Sequence, residues 1–259
     1  MSWLQVEDLD QVRRLTLDRP ARRNAVPHDG WSDLRQAFLD FEQSPSRVLI
    51  ITGAGGDFCS GADLDMSRIT DYSSISDRHK RMKTVEAAAI ALHRTTKPTI
   101  AAVDGVAVGA GMNLALGCDV VIGTSRSRFG ELFVRRGLTV DFGGTWLLPR
   151  IVGLQRAKEL ALTGRMVEAD EALQLGLVME LVEPDVLAQR SSELAQSFLD
   201  GAPLAQMFAK QGLNASFESS FSEALGWEGQ SQSIALGTED AAEGILAFLE
   251  KRKPEWRGR

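Results

Sequence analysis

Several protein classes are excluded by what this sequence lacks. Its 259 residues contain two cysteines and three histidines. Neither Cys59 and Cys118 nor His28, His79 and His93 have the spacing of metal ligands or of a disulfide framework. We therefore expect no metal site and a reducing, cytoplasmic setting. No stretch is long and apolar enough to span a membrane, and the first residues lack the basic and apolar segments of a signal peptide.

Basic residues are also in the minority. Lys and Arg number 29 against 35 Asp and Glu, so the formal net charge is −6. An acidic chain without a strong basic block is not expected to bind nucleic acid. The hydrophobic fraction of 44% is that of an ordinary globular protein. The length suits one large domain, or a core with a smaller appendage.

The glycine motifs of nucleotide-binding proteins are missing. There is no GxxxxGK[ST], and the loop GAGGDF at 53–58 departs from GxGxxG at its last glycine. Instead, two glycine-rich loops each follow a short apolar strand, the first over 52–64 and the second over 105–111. The second loop leads straight into a helix, where backbone N–H groups lack partners. Two interpretations are open. In the first, the glycines only form turns. In the second, both loops present backbone N–H groups to one carbonyl oxygen and so form an oxyanion hole.

The order of elements predicts an α/β fold. Apolar strands are expected at 3–7, 12–18, 48–51, 99–103, 119–122 and 177–182, and helices at 29–41, 77–93, 153–162 and 168–175. From residue 185 onward only helices follow, at 185–199, 203–213, 217–234 and 238–249. We therefore expect a core over 1–200 and a C-terminal helical subdomain over 201–259.

Asp141 stands immediately before a glycine pair that opens a helix. Aspartate in this position is frequently a helix cap or a turn residue. The alternative is a carboxylate held at a cleft. A nearby helix start would lower its pKa, whereas burial would raise it, and the sequence leaves the direction open.

Three longer motifs follow one another in the chain, after the tripeptide Arg23-Asn24-Ala25: FCSGADL at 58–64, GVAVGAGMNLALGCD at 105–119 and GLTVDFGGTWLLPRIVG at 137–153. In this order they resemble the crotonase superfamily, also called the enoyl-CoA hydratase/isomerase family. The resemblance covers nearly the whole chain. It implies a ClpP-like spiral of ββα units, and a C-terminal helical region that forms homotrimers or hexamers. It also implies acyl-CoA thioesters as substrates, with no cofactor beyond the CoA that belongs to the substrate.

Residue by residue, the resemblance implies an oxyanion hole made by the backbone N–H groups of Ala62 and Ala110. It makes Asp141 the general acid/base, as in isomerase-type members that use a single aspartate. Contacts with the substrate or its CoA moiety are implied for Arg23, Ala25, Asp63, Leu64, Gly109 and Phe133, and Lys251 and Trp256 would close the CoA site. Asp63 would also fix its loop by hydrogen bonds.

The chain departs from the two-glutamate hydratase pattern, because those positions hold Asn113 and Phe133. Asn113 either orients a substrate group or water, or caps the turn. Glu131 is close in sequence to the second position and is expected to be solvated, with a secondary catalytic role as the alternative. The sequence therefore favours an enoyl-CoA isomerase. Its alternatives are a hydratase of atypical mechanism and a non-catalytic acyl-CoA-binding protein. Residues 66–77 and the following helix are expected to shape the acyl pocket.

Overall fold

The computed structural model describes residues 3–64 and 74–259. The strands are β1 (Leu4–Leu9), β2 (Val12–Leu17), β3 (Val48–Gly53), β4 (Thr99–Val103), β5 (Val106–Val108), β6 (Val120–Thr124), β7 (Arg128–Gly130), β8 (Val167–Glu168) and β9 (Glu180–Val182). The helices are α1 (Gly30–Gln43), α2 (Ile75–His93), α3 (Ala110–Leu116), α4 (Gly144–Val152), α5 (Leu154–Thr163), α6 (Ala169–Gln174), α7 (Leu187–Leu199), α8 (Pro203–Ala215), α9 (Phe221–Leu236) and α10 (Glu239–Glu250). Short 3₁₀ turns occupy Pro20–Arg22, Leu132–Arg136 and Pro184–Val186.

The strands form two sheets. The larger has the order β1-β2-β3-β4-β6-β9, in which β1 and β2 pair antiparallel and every later pair is parallel. The smaller has the order β5-β7-β8. Parallel strands are usually covered on both faces and therefore read as continuous apolar runs. This explains why β3 and β4 were predictable from the sequence as short apolar segments.

Successive side chains on these strands point to opposite faces, so each strand contributes to two cores. Leu49 and Ile51 face the main core, together with α1, α2 and α3. Val48 and Ile50 face a second core, which α7 closes from the other side of the sheet. Helix α7 is thus part of the sheet-bearing core, although no strand follows β9 in the described chain.

The central part of the chain repeats one pattern. A strand of the large sheet is followed by a strand of the small sheet and then by a helix, as in β4-β5-α3 and β6-β7-α4. After β3, a single β-bridge between Cys59 and Ala107 takes the place of the second strand. The sequence predicted β4 and α3 but not β5, because three residues between two glycines are too short to show a period.

Helices α8, α9 and α10 form the C-terminal part. Lys210 on α8 is held to the core by Nζ, which lies 2.7 Å from Asp119 Oδ2 and 2.8 Å from the carbonyl oxygen of Lys97. The predicted boundary near Gly201 remains a prediction. Residues 66–73 of the predicted pocket loop 66–77 lie outside the described residues. No helix within the two described ranges has the length and apolar character that a membrane crossing needs.

Candidate active site

The first glycine loop runs directly beside β5. The N–H groups of Phe58 and Cys59 donate to the carbonyl oxygen of Val106, at 3.1 and 2.9 Å, and Val108 N–H donates to Cys59 O at 3.0 Å. The Asp57 side chain accepts from Val106 N–H at 2.9 Å. These bonds place the loop after β3 against the loop after β4, although the two are about 50 residues apart in sequence.

The two loops converge at Gly61 and Ala110. A Cβ added to Gly61 would lie 2.9 Å from Val108 O and 3.5 Å from the backbone nitrogen of Ala110. Gly61 also has φ of +85°, a conformation that glycine adopts without strain. The residue preceding Ala62 therefore touches the start of α3.

Within the described residues, the backbone N–H groups of Ala62 and Ala110 have no hydrogen-bond acceptor. Ala110 is the first residue of α3, so its N–H has no partner within the helix. The bridge that joins Val26 and Ala62 uses Gly61 O and the N–H of Asp63, and leaves Ala62 N–H outside it. Two backbone donors on adjoining loops are the arrangement that stabilises a developing oxyanion.

Asn24 anchors the Arg19–Ala25 segment to the first glycine loop. Its side chain is fully buried, donates to Ala54 O and Asp57 O at 2.8 and 2.6 Å, and accepts from Arg19 N–H. Arg19 in turn donates to Asp63 Oδ2 at 2.8 Å, which gives Asp63 the loop-fixing hydrogen bond expected of it. Sequence reasoning missed Asn24 and Arg19 as supports. A buried asparagine that follows two arginines gives no periodic signal.

Asp141 does not cap α4. The cap position belongs to Gly143, and only the backbone carbonyl of Asp141 contributes to the turn, by accepting from Gly144 N–H at 3.1 Å. Within the described chain its side-chain Oδ1 is buried and has no hydrogen-bond partner. Burial raises the pKa of Asp141 to about 6, which settles the direction that the sequence left open. A carboxylate with such a pKa is suited to accept and return a proton near neutral pH.

Asn113 connects Asp141 with the helix that follows the second glycine-rich loop. It lies on α3, three residues after Ala110, and is 0% exposed. Its Nδ2 donates to the backbone carbonyl oxygen of Asp141 at 2.9 Å. The side chain therefore holds the Asp141 segment rather than capping a turn of its own helix.

The expectation that Glu131 is solvated is wrong. Its side chain is 0% exposed, because Glu131 comes directly before the 3₁₀ turn Leu132–Arg136 and faces inward between β7 and that turn. Burial raises the pKa of Glu131 to about 8; the Asn113 side chain offsets part of this rise, and the charge of Asp141 adds to it. The structure thus brings Glu131 into the same cluster as Asn113 and Asp141.

A cavity of about 260 Å³ adjoins this cluster. Its wall is mainly apolar and aromatic, with His93 packed edge-on against Trp146 at a centroid distance of 5.2 Å. The lining residues are Ala89, Ile90, Leu92, His93, Asn113, Gly117, Phe142, Gly143, Trp146, Leu147 and Glu218. Phe142 and Gly143 follow Asp141 in the chain, and Asn113 is bonded to its backbone carbonyl oxygen, so the cavity adjoins the segment that carries Asp141.

The residues predicted to contact CoA lie in two regions. Arg23 is exposed near Asp57, Ala25 is buried behind the first loop, and Leu64 is exposed at the end of that loop. The Phe133 ring packs over Gly109, since a Cβ there would lie 3.5 Å from its Cζ. A phenyl ring thus covers the second glycine-rich loop. The two-glutamate hydratase pattern has a carboxylate at this sequence position.

Lys251 and Trp256 belong to the C-terminal part. Lys251 ends α10 in a left-handed conformation and is exposed. Trp256 Nε1 donates to Asp200 O at 2.8 Å, and its ring packs on Gly244. These contacts join Trp256 to the C-terminal helices, and closure of a CoA site by either residue remains a prediction.

Comparison with known proteins identifies the family. The family model for enoyl-CoA hydratase/isomerase matches residues 7–259. A short-chain-enoyl-CoA hydratase of Clostridium acetobutylicum is 34% identical, over 96% of this chain and 95% of the relative. A 1,2-epoxyphenylacetyl-CoA isomerase of Escherichia coli is also 34% identical, with the same two coverages.

Solved structures give the same result. The crystal structure of a putative enoyl-CoA hydratase from Streptomyces coelicolor superposes with a TM-score of 0.94 at 35% identity, covering 100% of this chain and 95% of that chain. This likeness confirms the crotonase fold expected from the sequence motifs. The residues that match the family model, 7–259, include the glycine loops, the Asp141 segment and the C-terminal helices. The chain therefore belongs to the enoyl-CoA hydratase/isomerase family and is an enzyme of the crotonase superfamily.

Proposed function

We propose that this enzyme isomerises the double bond of an enoyl-CoA, with Asp141 as the single general acid/base. The Asp141 carboxylate removes a proton from C2 of a 3-enoyl-CoA. The electron pair of the broken C–H bond delocalises through the thioester, and the N–H groups of Ala62 and Ala110 stabilise the resulting dienolate oxygen. Protonated Asp141 returns the proton to C4, which gives the 2-enoyl-CoA and restores the carboxylate.

The observation that carries this proposal is the state of the Asp141 side chain. It has a buried Oδ1 without a protein partner in the described chain, and a pKa raised to about 6. A carboxylate with a purely structural role would have its oxygens occupied by hydrogen bonds or an ion pair. Through Asn113 the carboxylate segment is tied to the helix that begins at Ala110.

The cavity beside Asn113 supports an acyl group as the occupant. Its volume of about 260 Å³ exceeds the ~150 Å³ of a cavity that holds a benzene ring. The aromatic rings of Phe142 and Trp146 would pack on a medium-length chain or on a ring-bearing acyl group. Arg23, Ala25, Leu64 and Gly109 would lie along the CoA moiety, and no cofactor beyond that CoA is required.

A second candidate function is hydration of a 2-enoyl-CoA. The specific observation in its favour is Glu131, a buried carboxyl in the cluster that contains Asp141. Two carboxyl groups could divide between them the activation of water and the protonation of C2. The argument against it is that Asn113 and Phe133 occupy the two positions where hydratases of the two-glutamate type carry their acids.

The two functions are separated by following products with proton NMR. The enzyme is incubated with a 3-enoyl-CoA and, in a second tube, with the matching 2-enoyl-CoA. An isomerase converts the first into the second and forms no 3-hydroxyacyl-CoA. Accumulation of 3-hydroxyacyl-CoA from the 2-enoyl substrate would instead establish the hydratase. Binding of both thioesters by calorimetry with no product would leave a binding protein.

We further propose that the enzyme is a homotrimer, or a hexamer made of two trimers. Large apolar side chains are exposed on α9 and α10, among them Phe221 at 80% and Phe248 at 82%. Exposed apolar patches of this kind mark association surfaces. In a closed symmetric oligomer, such a patch is buried against an identical copy of the chain. Light scattering after gel filtration would give three or six times 28.2 kDa; a monomeric mass would contradict the proposal.

A cytoplasmic location accords with the two buried, unpaired cysteines.

A further inference from the structure

Glu131 is a buried carboxyl whose oxygens form no hydrogen bond of good geometry within the described residues. Neither Oε1 nor Oε2 has a partner there, and no part of the side chain reaches solvent. A carboxylate anion in such surroundings is disfavoured, because it loses its hydration and the Asn113 side chain offsets only part of that loss. The neutral acid avoids this cost and brings one O–H donor of its own.

The Asn113 side chain offers the matching acceptor. Its Nδ2 donates to the Asp141 carbonyl oxygen, an atom that can only accept, and this contact fixes which end of the amide is nitrogen. The other end, Oδ1, is buried and has no donor within the described chain. Asn113 is also near enough to Glu131 to influence its ionisation. A proton on Glu131 would therefore let one of its oxygens donate to Asn113 Oδ1, which gives that buried acceptor a partner.

We propose that Glu131 is a neutral carboxylic acid in the resting enzyme and a positioning residue for Asp141. Its O–H donates to Asn113 Oδ1, and Asn113 Nδ2 holds the backbone of Asp141. The inference rests on the proposed function in one respect, namely that Asp141 is the group that moves the proton. Glu131 itself touches no reacting atom in this account.

The proton on Glu131 also limits negative charge beside Asp141. Burial is the main cause that brings the pKa of Glu131 to about 8, and among the charged groups of the described chain the Asp141 carboxylate adds to this rise. Arg165 is paired with Glu159 and Glu171, while Arg135 and Arg136 donate to the backbone oxygens of Thr163 and Leu132. Arg128 and Glu168 are exposed on the paired strands β7 and β8. Ionisation of Glu131 would remove the donor to Asn113 and place a second negative charge near Asp141, so turnover should decline above about pH 8.

The first test reads the protonation state without using activity. Carboxyl resonances of δ-¹³C-glutamate-labelled protein are followed by NMR from pH 5 to pH 9, for the wild type and for Glu131→Gln. We expect one glutamate carboxyl to titrate near pH 8 and to be absent from the variant. If every glutamate carboxyl titrates below about pH 6, the proposal is overturned, whatever reaction the enzyme catalyses.

The second test uses turnover and two substitutions. Glu131→Leu cannot donate to Asn113, and we expect kcat to fall at least tenfold at pH 7 with KM nearly unchanged. Glu131→Gln donates from Nε2, so it should restore most of the lost kcat and should abolish the decline above pH 8. A Gln variant as inactive as the Leu variant would mean that the Glu131 proton is itself transferred. A folded Leu variant with wild-type kcat would remove any positioning role.

These outcomes are distinguishable from failure of the proposed function. If Asp141→Asn keeps full activity, Asp141 is not the acid/base, while the NMR titration of Glu131 still reports whether that carboxyl is neutral. If the Leu variant fails to fold, the NMR titration and the pH profile of the Gln variant decide the proposal without it.

Discussion

Asn113 Nδ2 donates a 2.9 Å hydrogen bond to the backbone carbonyl oxygen of Asp141. This bond joins the helix that starts at Ala110 to the segment that carries the Asp141 carboxylate. The sequence places the two residues 28 positions apart. In the proposed mechanism, an oxyanion hole at Ala110 and a base at Asp141 must keep a fixed separation, and this bond would maintain it.

The hydrogen bond between Asn113 and Asp141 requires glycine at position 144. A Cβ on Gly144 would lie 2.6 Å from Asn113 Cγ and Oδ1, closer than carbon atoms approach in proteins. Gly144→Ala should therefore displace Asn113 and lower kcat at least tenfold in the isomerase assay, with a smaller effect on KM. The matched control is Gly226→Ala on the exposed face of α9, where nothing lies within 4 Å. It should keep kcat and gain up to about 1 kcal/mol of helix stability. Equal kcat in both variants would show that Asn113 is not needed.

Gly61 tests the oxyanion hole in the same way. A methyl group at Gly61 would press on Val108 O at 2.9 Å, two residues before Ala110, and should shift one N–H donor. Loss of one such donor lowers kcat by about 10²–10³-fold. Gly56→Ala is the control, because Gly56 has the same φ of +85° but its Cβ would meet only Arg126 and Asp104 at ordinary distances. Both variants carry similar backbone strain, so only Gly61→Ala should lose activity. Similar losses of kcat in the two would refute the placement of the hole.

The raised pKa of Glu131 predicts a dependence of stability on pH. The folded-state pKa of about 8 lies above the ordinary value of 4.5, so the folded protein binds the proton more tightly than the unfolded chain does. This contribution is complete below about pH 4.5 and is lost as the pH rises through 8. Wild type should therefore lose stability relative to Glu131→Gln between pH 5 and pH 9, by an amount on the order of a few kcal/mol. Denaturant melts of both proteins at several pH values measure this difference. Parallel curves would contradict it.

Cys59 should be chemically inert. It is fully buried within the first glycine-rich loop, and burial raises the pKa of its thiol to about 12. The thiolate is the form that alkylating reagents attack, so native protein at pH 8 should resist iodoacetamide and keep its activity. Mass spectrometry should show modification of Cys59 only after unfolding. Rapid inactivation with labelling at Cys59 would show that the loop opens.

Much of the fold could be predicted from the sequence, because its signals are local. The apolar runs at β3 and β4 and the helical period of α1 gave elements within a few residues of the observed ones. Strand β5 escaped notice, since three residues carry no period. The wrong expectation for Glu131 has a different cause. Its burial depends on the turn Leu132–Arg136 and on Asn113, which are tertiary contacts that no local pattern reports.

Within the site too, local signals could be predicted from the sequence and tertiary contacts could not. The glycine loops were visible as loops after strands, and the family motifs pointed to Ala62, Ala110 and Asp141. The support given by Asn24 and the contact between Asn113 and Asp141 join segments about 30 residues apart, so only the structure reveals them. The pKa of Asp141 was undecidable from the sequence, because burial and a helix start act in opposite directions.

The most direct test of the account is the transfer of solvent deuterium to a 3-enoyl-CoA, measured by NMR in D₂O at pH 7.5. Wild type should place deuterium at C2 or C4 as the double bond migrates, and Asp185→Asn, a substitution on the exposed turn Pro184–Val186, should behave like wild type. Asp141→Asn keeps the shape of the side chain but cannot accept a proton, so its exchange rate should fall by roughly 10²–10⁴-fold. Exchange by Asp141→Asn at the wild-type rate would contradict the assignment of Asp141 as the acid/base.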